Sequence, residues 1–371
     1  MNGRDAPRSS APSRLVANLG RPCVEHASER IPVAGTSAER PNIRQVAQLA
    51  GVSHMTVSRV MNDYPHIKEA TRQRVLDVIA ELGYRPNQAA RALATQRNRR
   101  IGVLVENAVS FGPTSTLRAV EFAARTAGYA VSSIALHDGD AATPEEAIEH
   151  LTGQGIDALC VVAPRSSSLA SIRKISIGVP VLIVKPDRDP TYLTISVDQQ
   201  QGTILAVDHL VSLGHRDILH LTGPLDWLDA RARERAFYQR AKEWGVRQRP
   251  IVIGDWSADF AYEYAKGLRE LPEYTAVFAA NDDTAVGLVH GFSERGFSVP
   301  DDISVVGFDD IRLAAHVLPP LTTVHQDFHS LGASVVDMLR AAIEGHDIPH
   351  VTRVPSSLIV RGSTAPPRSA R

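Results

Sequence analysis

The run from Ile43 to Asn62, IRQVAQLAGVSHMTVSRVMN, leaves the chain few choices of local fold. Val46, Ala47, Leu49 and Ala50 make one apolar helical face. Gly51 interrupts it, Val52 fills the corner, and Ser53 can cap a second helix carrying Val57, Val60 and Met61. The pattern predicts helix, tight turn, helix. The second helix shows Ser53, His54, Met55, Ser58, Arg59 and Asn62 on its polar side, where a purely structural helix more often shows Glu and Lys. Such groups can reach base edges in a major groove, which alone presents a distinct donor, acceptor and methyl pattern for each base pair. Arg59 suits the N7 and O6 of guanine, His54 a single acceptor and Met55 a thymine methyl. Ser53, Ser58 and Asn42 suit phosphates, and Thr56 and His66 complete the candidate contact set. The plainer alternative is a small helical hairpin whose polar face arose by chance.

Charge is distributed in a way that supports the first option. The chain of 371 residues has a formal net charge of -1, but residues 41–100 hold ten Arg or Lys against four Asp or Glu, while residues 101–371 are acidic. A basic module on an acidic body suits phosphate binding with counterion release, and the acidic body discourages the core from adhering to DNA. With 43% hydrophobic residues the chain can bury two or three cores. No long apolar run predicts a membrane span, and Arg4, Arg8 and Arg14 precede no apolar stretch of a secretory signal. Cys23 and Cys160 suggest a reducing cytosol rather than a disulfide framework.

Residues 1–40, rich in Pro, Ser, Ala, Gly and Arg, are expected to form a disordered tail. Residues 41–86 form the headpiece, closed by a third helix expected over Thr71 to Leu82 and ended by Gly83. Residues 87–100 hold NQAARALA, too short to be a stable helix alone in water. It is expected to fold on binding, with Asn87 capping, Ala90 permitting close approach to a symmetry mate and Leu93 wedged into the minor groove. A simple linker is the alternative. Residues 101–365 alternate short apolar runs (IGVLV, ALCVV, PVLIV, ILHLTG, AVFAA, ISVVGF) with amphipathic helices, which predicts parallel sheet covered on both faces. Residues 366–371 form a tail. The chain carries no GxGxxG after its first strand, P-loop, HExxH or GxSxG, so dinucleotide enzymes, NTPases, zinc proteases and common hydrolases lose support.

IRQVAQLAGVSHMTVSRVMN followed by TRQRVLDVIAELGYRPNQAARALA resembles the headpiece and hinge of the lactose-repressor (LacI/GalR) family. IGVLVE, LVSLGHRDILHLTGP, AVFAANDDTAVG, VPDDISVVGFDD and PPLTTVHQDFHSLG resemble that family's ligand-binding core. The resemblance spans residues 41 to about 363. It implies an α/β fold: an N-terminal all-α helix-turn-helix headpiece plus a two-lobed, periplasmic-binding-protein-like core of parallel sheets flanked by helices, with crossovers near 196–198 and 323–327. An effector would lie between the lobes.

The same resemblance places Arg233, Asn281 and Asp309 where the family grips ligand hydroxyls. Their plainer roles are a surface salt-bridging Arg, an N-cap and a turn carboxylate. Trp256 and Phe328 match positions that line or shut the cleft, Trp227 could serve as a second aromatic wall, and Ser110 and Phe111 stand after the first core strand. Trp256, Phe328 and Trp227 could equally be core packing. Lys185, ending PVLIV, replaces an expected carboxylate; it could pair with Asp309 or accept an acidic ligand such as a uronate or sugar phosphate.

The expected function is that of a cytoplasmic, nucleoid-associated, sequence-specific transcriptional regulator of double-stranded DNA. It would be a homodimeric repressor of sugar-utilisation genes on a palindromic operator, controlled by a small carbohydrate-like effector, with no catalytic residue, cofactor or metal. RGSTAPPRSAR offers no heptads for a tetramer. A solute-binding protein or a sugar-modifying enzyme sharing the core are the alternatives. Adjacent Asp309 and Asp310 make a poor catalytic pair, because neighbours on an extended strand point opposite ways.

Overall fold

Asn42 opens helix α1 (Ile43–Ala50): its side-chain oxygen accepts from the Arg44 and Gln45 backbone N–H groups at 3.0 and 3.1 Å. The Gln45 side chain accepts from the Asn42 N–H at 2.7 Å, closing a capping box. Gly51, at φ 63°, stops the helix in the left-handed region that a Cβ disfavours. Ser53 then caps α2 (His54–Met61) by accepting from the Thr56 N–H at 3.1 Å. Helix α3 (Glu69–Leu82) begins two residues before the expected Thr71, putting Glu69 in the first turn where the helix dipole favours a carboxylate. Val46, Ala47, Ala50, Val57, Val60, Val75, Val78 and Tyr84 form the core of these three helices. Leu49, expected inward, is 61% exposed. At about 100° per residue it falls roughly 60° outside the arc that Val46, Ala50 and Ala47 bury.

The computed structural model describes residues 41–84, 97–106, 109–137, 142–162 and 165–368. The expected tail over 1–40 and the hinge candidates Asn87, Ala90 and Leu93 lie outside the described residues. The chain divides into two compact units, Met1–Pro86 and Asn87–Arg371.

In the second unit, the apolar runs become strands buried on both faces. One six-stranded sheet contains β1 (Arg100–Glu106), β2 (Ala130–Leu136), β3 (Ala158–Val162), β4 (Val181–Val184), β5 (Leu193–Val197) and, much later, β11 (Val351–Val354). Its order is β11-β5-β4-β3-β1-β2, and all neighbours are parallel. The second sheet contains β6 (Ile218–Thr222), β7 (Val252–Ile253), β8 (Ala276–Ala279), β9 (Ser304–Asp309), β10 (Thr322–Gln326) and β12 (Ser356–Ile359). Its order is β12-β10-β9-β8-β6-β7, parallel except for β12. Helices α4 (Phe111–Thr126) and α11 (Phe328–Glu344) cover one face of the first sheet, and α5 (Pro144–Gly153) and α6 (Ser166–Ile172) cover the other. The second sheet lies between α7 (Gln199–Ser212) with α8 (Leu228–Glu243) and α9 (Ala258–Lys266) with α10 (Asp282–Glu294).

The chain passes between the sheets after Val197 and after Gln326, and returns a third time through Pro355, the single residue between β11 and β12. The third passage was not expected. β5, β10, β11 and β12 escaped notice because Thr, Ser, His, Gln and Arg interrupt their apolar residues. Several of those residues make internal hydrogen bonds: the Thr323 hydroxyl donates to Asp282 at 2.5 Å, and the Thr322 N–H donates to Ser363 Oγ at 2.8 Å.

Candidate effector cleft and nucleic-acid interface

An open parallel sheet binds ligands beyond the carboxyl ends of its strands, where the strand order reverses. Here that reversal falls between β1 and β3 in one sheet and between β6 and β8 in the other. A cavity of about 70 Å³ lies at those ends, lined by Ser110 and Phe111 after β1, Trp227 after β6, Trp256 after β7, Asn281 after β8, Asp309 ending β9 and Phe328 after β10. Arg233 reaches it from the second turn of α8. Gln199, Gln326 and Asp229 line it too, although the sequence reading passed over them. The signal that could have found both glutamines is position, since Gln326 ends β10 and Gln199 opens α7 two residues after β5 ends.

Arg233, only 4% exposed, is held in a closed ring of side chains. Its Nε donates to Gln199 Oε1 at 2.8 Å, Gln199 Nε2 donates to Gln326 Oε1 at 3.0 Å, and Gln326 Nε2 donates to Asp309 Oδ1 at 2.6 Å. The ring closes where Asp309 Oδ1 lies 4.0 Å from Arg233 Nη2. Arg233 Nη1 donates to the Ala280 carbonyl, and the guanidinium carbon stands 3.8 Å from the Phe308 ring centre and 5.6 Å from that of Trp256. Burial lowers the Arg233 pKa, while Asp309, Asp229 and Asp282 oppose that change. Burial pushes the Asp309 carboxyl up to about 7, against the pull of Arg233 and the Gln326 hydrogen bond. Asp229 is raised by the same desolvation. Asp309 therefore changes between hydrogen-bond donor and acceptor near neutral pH.

The walls are aromatic. Phe111 and Phe328, at the starts of α4 and α11, meet edge to face at 5.8 Å. Trp256 sits at φ 72°, strained for a bulky residue, and Asn281 holds it there: the Asn281 amide donates to the Trp256 carbonyl at 3.0 Å. The Asn281 oxygen accepts from the Thr284 N–H at 3.0 Å, so the residue caps α10 as well as lining the cleft. Trp227 packs under the Arg165 guanidinium, 4.8 Å from the ring centre.

Lys185 must be corrected. Its ammonium lies 3.1 Å from Asp189 and bonds the Arg188 carbonyl at 3.5 Å; it neither meets Asp309 nor lines the cleft. Val184 points into the cavity, and strand alternation sends its neighbour the other way. Asp309 and Asp310 do diverge, but not by extended alternation: both have positive φ, 114° and 53°. Asp310 instead pairs with His325 at 3.0 Å and Arg361 at 2.7 Å. Among the described residues, no group of three or more His, Cys, Asp or Glu is placed to hold a metal ion.

On the headpiece, His54, Met55 and Arg59 are exposed along the outer face of α2, opposite buried Val57 and Val60. Arg59 lies over the ring of Tyr64 at 5.5 Å, and His66 meets the edge of that ring at 6.3 Å. The sequence reading missed Tyr64, which restrains the guanidinium it flanks. The Asn62 amide donates to the Ser58 carbonyl at 2.9 Å, and Thr56 Oγ1 lies 2.9 Å from Ser53 Oγ. The Asn42 and Ser53 side-chain oxygens are engaged in capping.

Residues 42–87 match the family of bacterial regulatory proteins, lacI family, and residues 207–364 match a periplasmic binding protein-like domain. Over 326 residues the chain is 32% identical to the lactose operon repressor of Escherichia coli (strain K12), covering 87% of this chain and 91% of that protein. The chain belongs to the LacI family. The crystal structure of the lac repressor dimer bound to operator and the anti-inducer ONPF is similar at TM-score 0.77 and 32% identity, over 88% of this chain and 100% of that one. A CelR–cellobiose complex is similar at TM-score 0.65 and 27% identity, over 87% and 100%. As a LacI-family protein the chain is a DNA-binding transcriptional regulator with a ligand-binding core, not an enzyme.

Proposed function

We propose that this LacI-family protein is a repressor of sugar-utilisation genes, working as a homodimer on a palindromic operator in the cytoplasm, where it associates with the nucleoid. Its effector is a neutral, hydroxyl-bearing carbohydrate bound in the cleft and gripped by Arg233, Asn281 and Asp309. The observation that carries this reading is the charge balance of the cleft. Arg233 is surrounded by Asp309 and Asp229 and is already engaged by Gln199 and the Ala280 carbonyl, while aromatic rings form the walls. An anionic sugar would face two carboxyls there, and with Lys185 turned away to Asp189 no second cation lines the described cavity to receive it. Aromatic faces suit the C–H face of a neutral ring, and mixed amides and carboxyls suit its hydroxyls.

In this reading His54, Met55 and Arg59 contact base edges, with Asn42, Ser53, Thr56, Ser58, Asn62 and His66 around them. Asn87, Ala90 and Leu93 form the hinge that pairs in the minor groove. Effector binding separates the hinges and releases DNA. A coupling of about 1–3 kcal/mol changes operator affinity roughly 5- to 150-fold. The test is genomic-fragment binding by the full chain with a panel of neutral and acidic sugars. The reading expects one palindrome, lost on adding a neutral sugar. Enrichment of no fragment under any condition, or release by acidic sugars alone, overturns it.

A further inference from the structure

Arg59 stands on the outer face of α2, and among the described residues its guanidinium makes neither a hydrogen bond nor an ion pair. What meets it is one ring, that of Tyr64, whose centre lies 5.5 Å from the guanidinium carbon. Tyr64 is 50% exposed, so burial does not account for its place.

The backbone puts the ring there. The Tyr64 N–H donates to the Arg59 carbonyl at 3.0 Å, and the Asp63 N–H donates to the Val60 carbonyl at 3.1 Å. These are the two bonds of a Schellman ending, which folds the residue after the left-handed one back beside the last turn of the helix. Asp63 occupies that left-handed position at φ 54°, where glycine is usual. Arg72, from α3, holds both residues: its Nη1 donates to Asp63 Oδ1 at 2.5 Å and its Nη2 to the Tyr64 carbonyl at 3.1 Å. Pro65 disfavours helical backbone in the residue before it, and the His66 ring meets that of Tyr64 edge on. The ring is therefore set by the headpiece itself, through bonds to α2 and α3 that need no DNA.

We propose that Tyr64 is a positioning residue for base recognition, holding the Arg59 guanidinium for a base edge and away from the phosphates. This rests on the reading that Arg59 contacts a base, and deepens it. On a duplex an arginine has two kinds of acceptor in reach. Phosphate oxygens occur at every step and accept from many directions, whereas a bidentate match to guanine N7 and O6 demands one orientation. A long, rotamer-rich side chain left free divides itself between the two. A braced ring changes no charge but removes rotamers, so it adds discrimination between bases rather than attraction to DNA. An exposed contact between a cation and a ring corresponds to about two- to fivefold in the population of the held pose.

The test uses the full chain and a library of duplexes with a randomised palindromic site. Arg59→Ala identifies the base pair that Arg59 reads, as the position whose preference it flattens. Discrimination at each position is then measured for the parent, Tyr64→Leu, Tyr64→Phe, and Tyr64→Leu combined with Arg59→Ala, with melting temperatures alongside. Tyr64→Leu should lower discrimination about two- to fivefold, and only at the pair that Arg59 reads. Tyr64→Phe keeps a ring and should lose less than about 1.5-fold. In the Arg59→Ala background, Tyr64→Leu should have no further effect. A loss that persists without Arg59 would mean that Tyr64 touches DNA on its own account. Unchanged discrimination in Tyr64→Leu would mean that Arg59 needs no brace, and an equal loss at every position with a lower melting temperature would mark a merely structural role. Any of these three overturns the inference while the base-reading assignment of Arg59 stands. If Arg59→Ala flattens no position, that assignment falls and the inference falls with it.

Discussion

Replacing Asp309 with Asn removes a carboxyl whose protonation is tied to its burial. Burial carries that carboxyl from 3.8 to about 7. Because the folded pKa is raised, protonated Asp309 favours the native state fully below the unfolded value, and this contribution is lost as pH rises towards 7. Raising a pKa by one corresponds to about 1.4 kcal/mol, so the whole contribution is on the order of 4 kcal/mol. Asn cannot ionise, while Asp229 and Asp282, also raised by burial, remain in both proteins. The stability difference between parent and Asp309→Asn should therefore fall by about 2 kcal/mol from roughly pH 5.5 to 7 and level off above about pH 8. Urea unfolding followed by tryptophan fluorescence suits this, since Trp227 and Trp256 both line the cleft. A difference flat to within about 0.5 kcal/mol over that range would show that Arg233 keeps Asp309 ionised, and would refute the account of burial outweighing the guanidinium.

The other predictions are simpler. Arg59→Ala should weaken operator binding by about 1–3 kcal/mol and relax base preference at one position, seen as a flattened sequence profile in a binding selection. Ser53→Ala removes the acceptor for the Thr56 N–H, and loss of about 1 kcal/mol should lower hydrogen-exchange protection in α2 roughly fivefold. Gly202→Ala would set a Cβ 2.8 Å from the Phe308 ring and 2.9 Å from Val324, and should cost about 1–3 kcal/mol in urea unfolding. Lys185→Met leaves buried Asp189 with Arg173 as its ion-pair partner, beside the Thr191 and Tyr192 N–H groups, and should destabilise by about 3 kcal/mol. Calorimetry should show its sugar affinities unchanged within twofold, because the ammonium lies outside the cleft.

The headpiece was legible because its information is local. Gly51, Ser53 and the spacing of Val46, Ala50, Val57 and Val60 act within one or two helical turns, and the caps form where the residue types favour them. The buried strands were legible for a similar reason, since runs such as RIGVLVE and ALCVV need cover on both faces wherever the sheet lies. Leu49 marks the limit of such reasoning, because an apolar residue just off the buried arc looks the same in sequence as one within it.

What only the tertiary structure decided is which polar groups meet. Gln199 and Gln326 stand 127 residues apart, and nothing local distinguishes them from other glutamines. They form the ring with Arg233 and Asp309 because two crossovers bring the ends of β5 and β10 together. Lys185 ended beside Asp189 because of strand alternation and the loop that follows, and the passage at Pro355 exists only because both sheets have an edge for a short polar strand to join. Apolar periodicity selects a buried face without regard to partner. A hydrogen bond or an ion pair requires a particular partner at a particular distance, and over such separations only the folded chain supplies it.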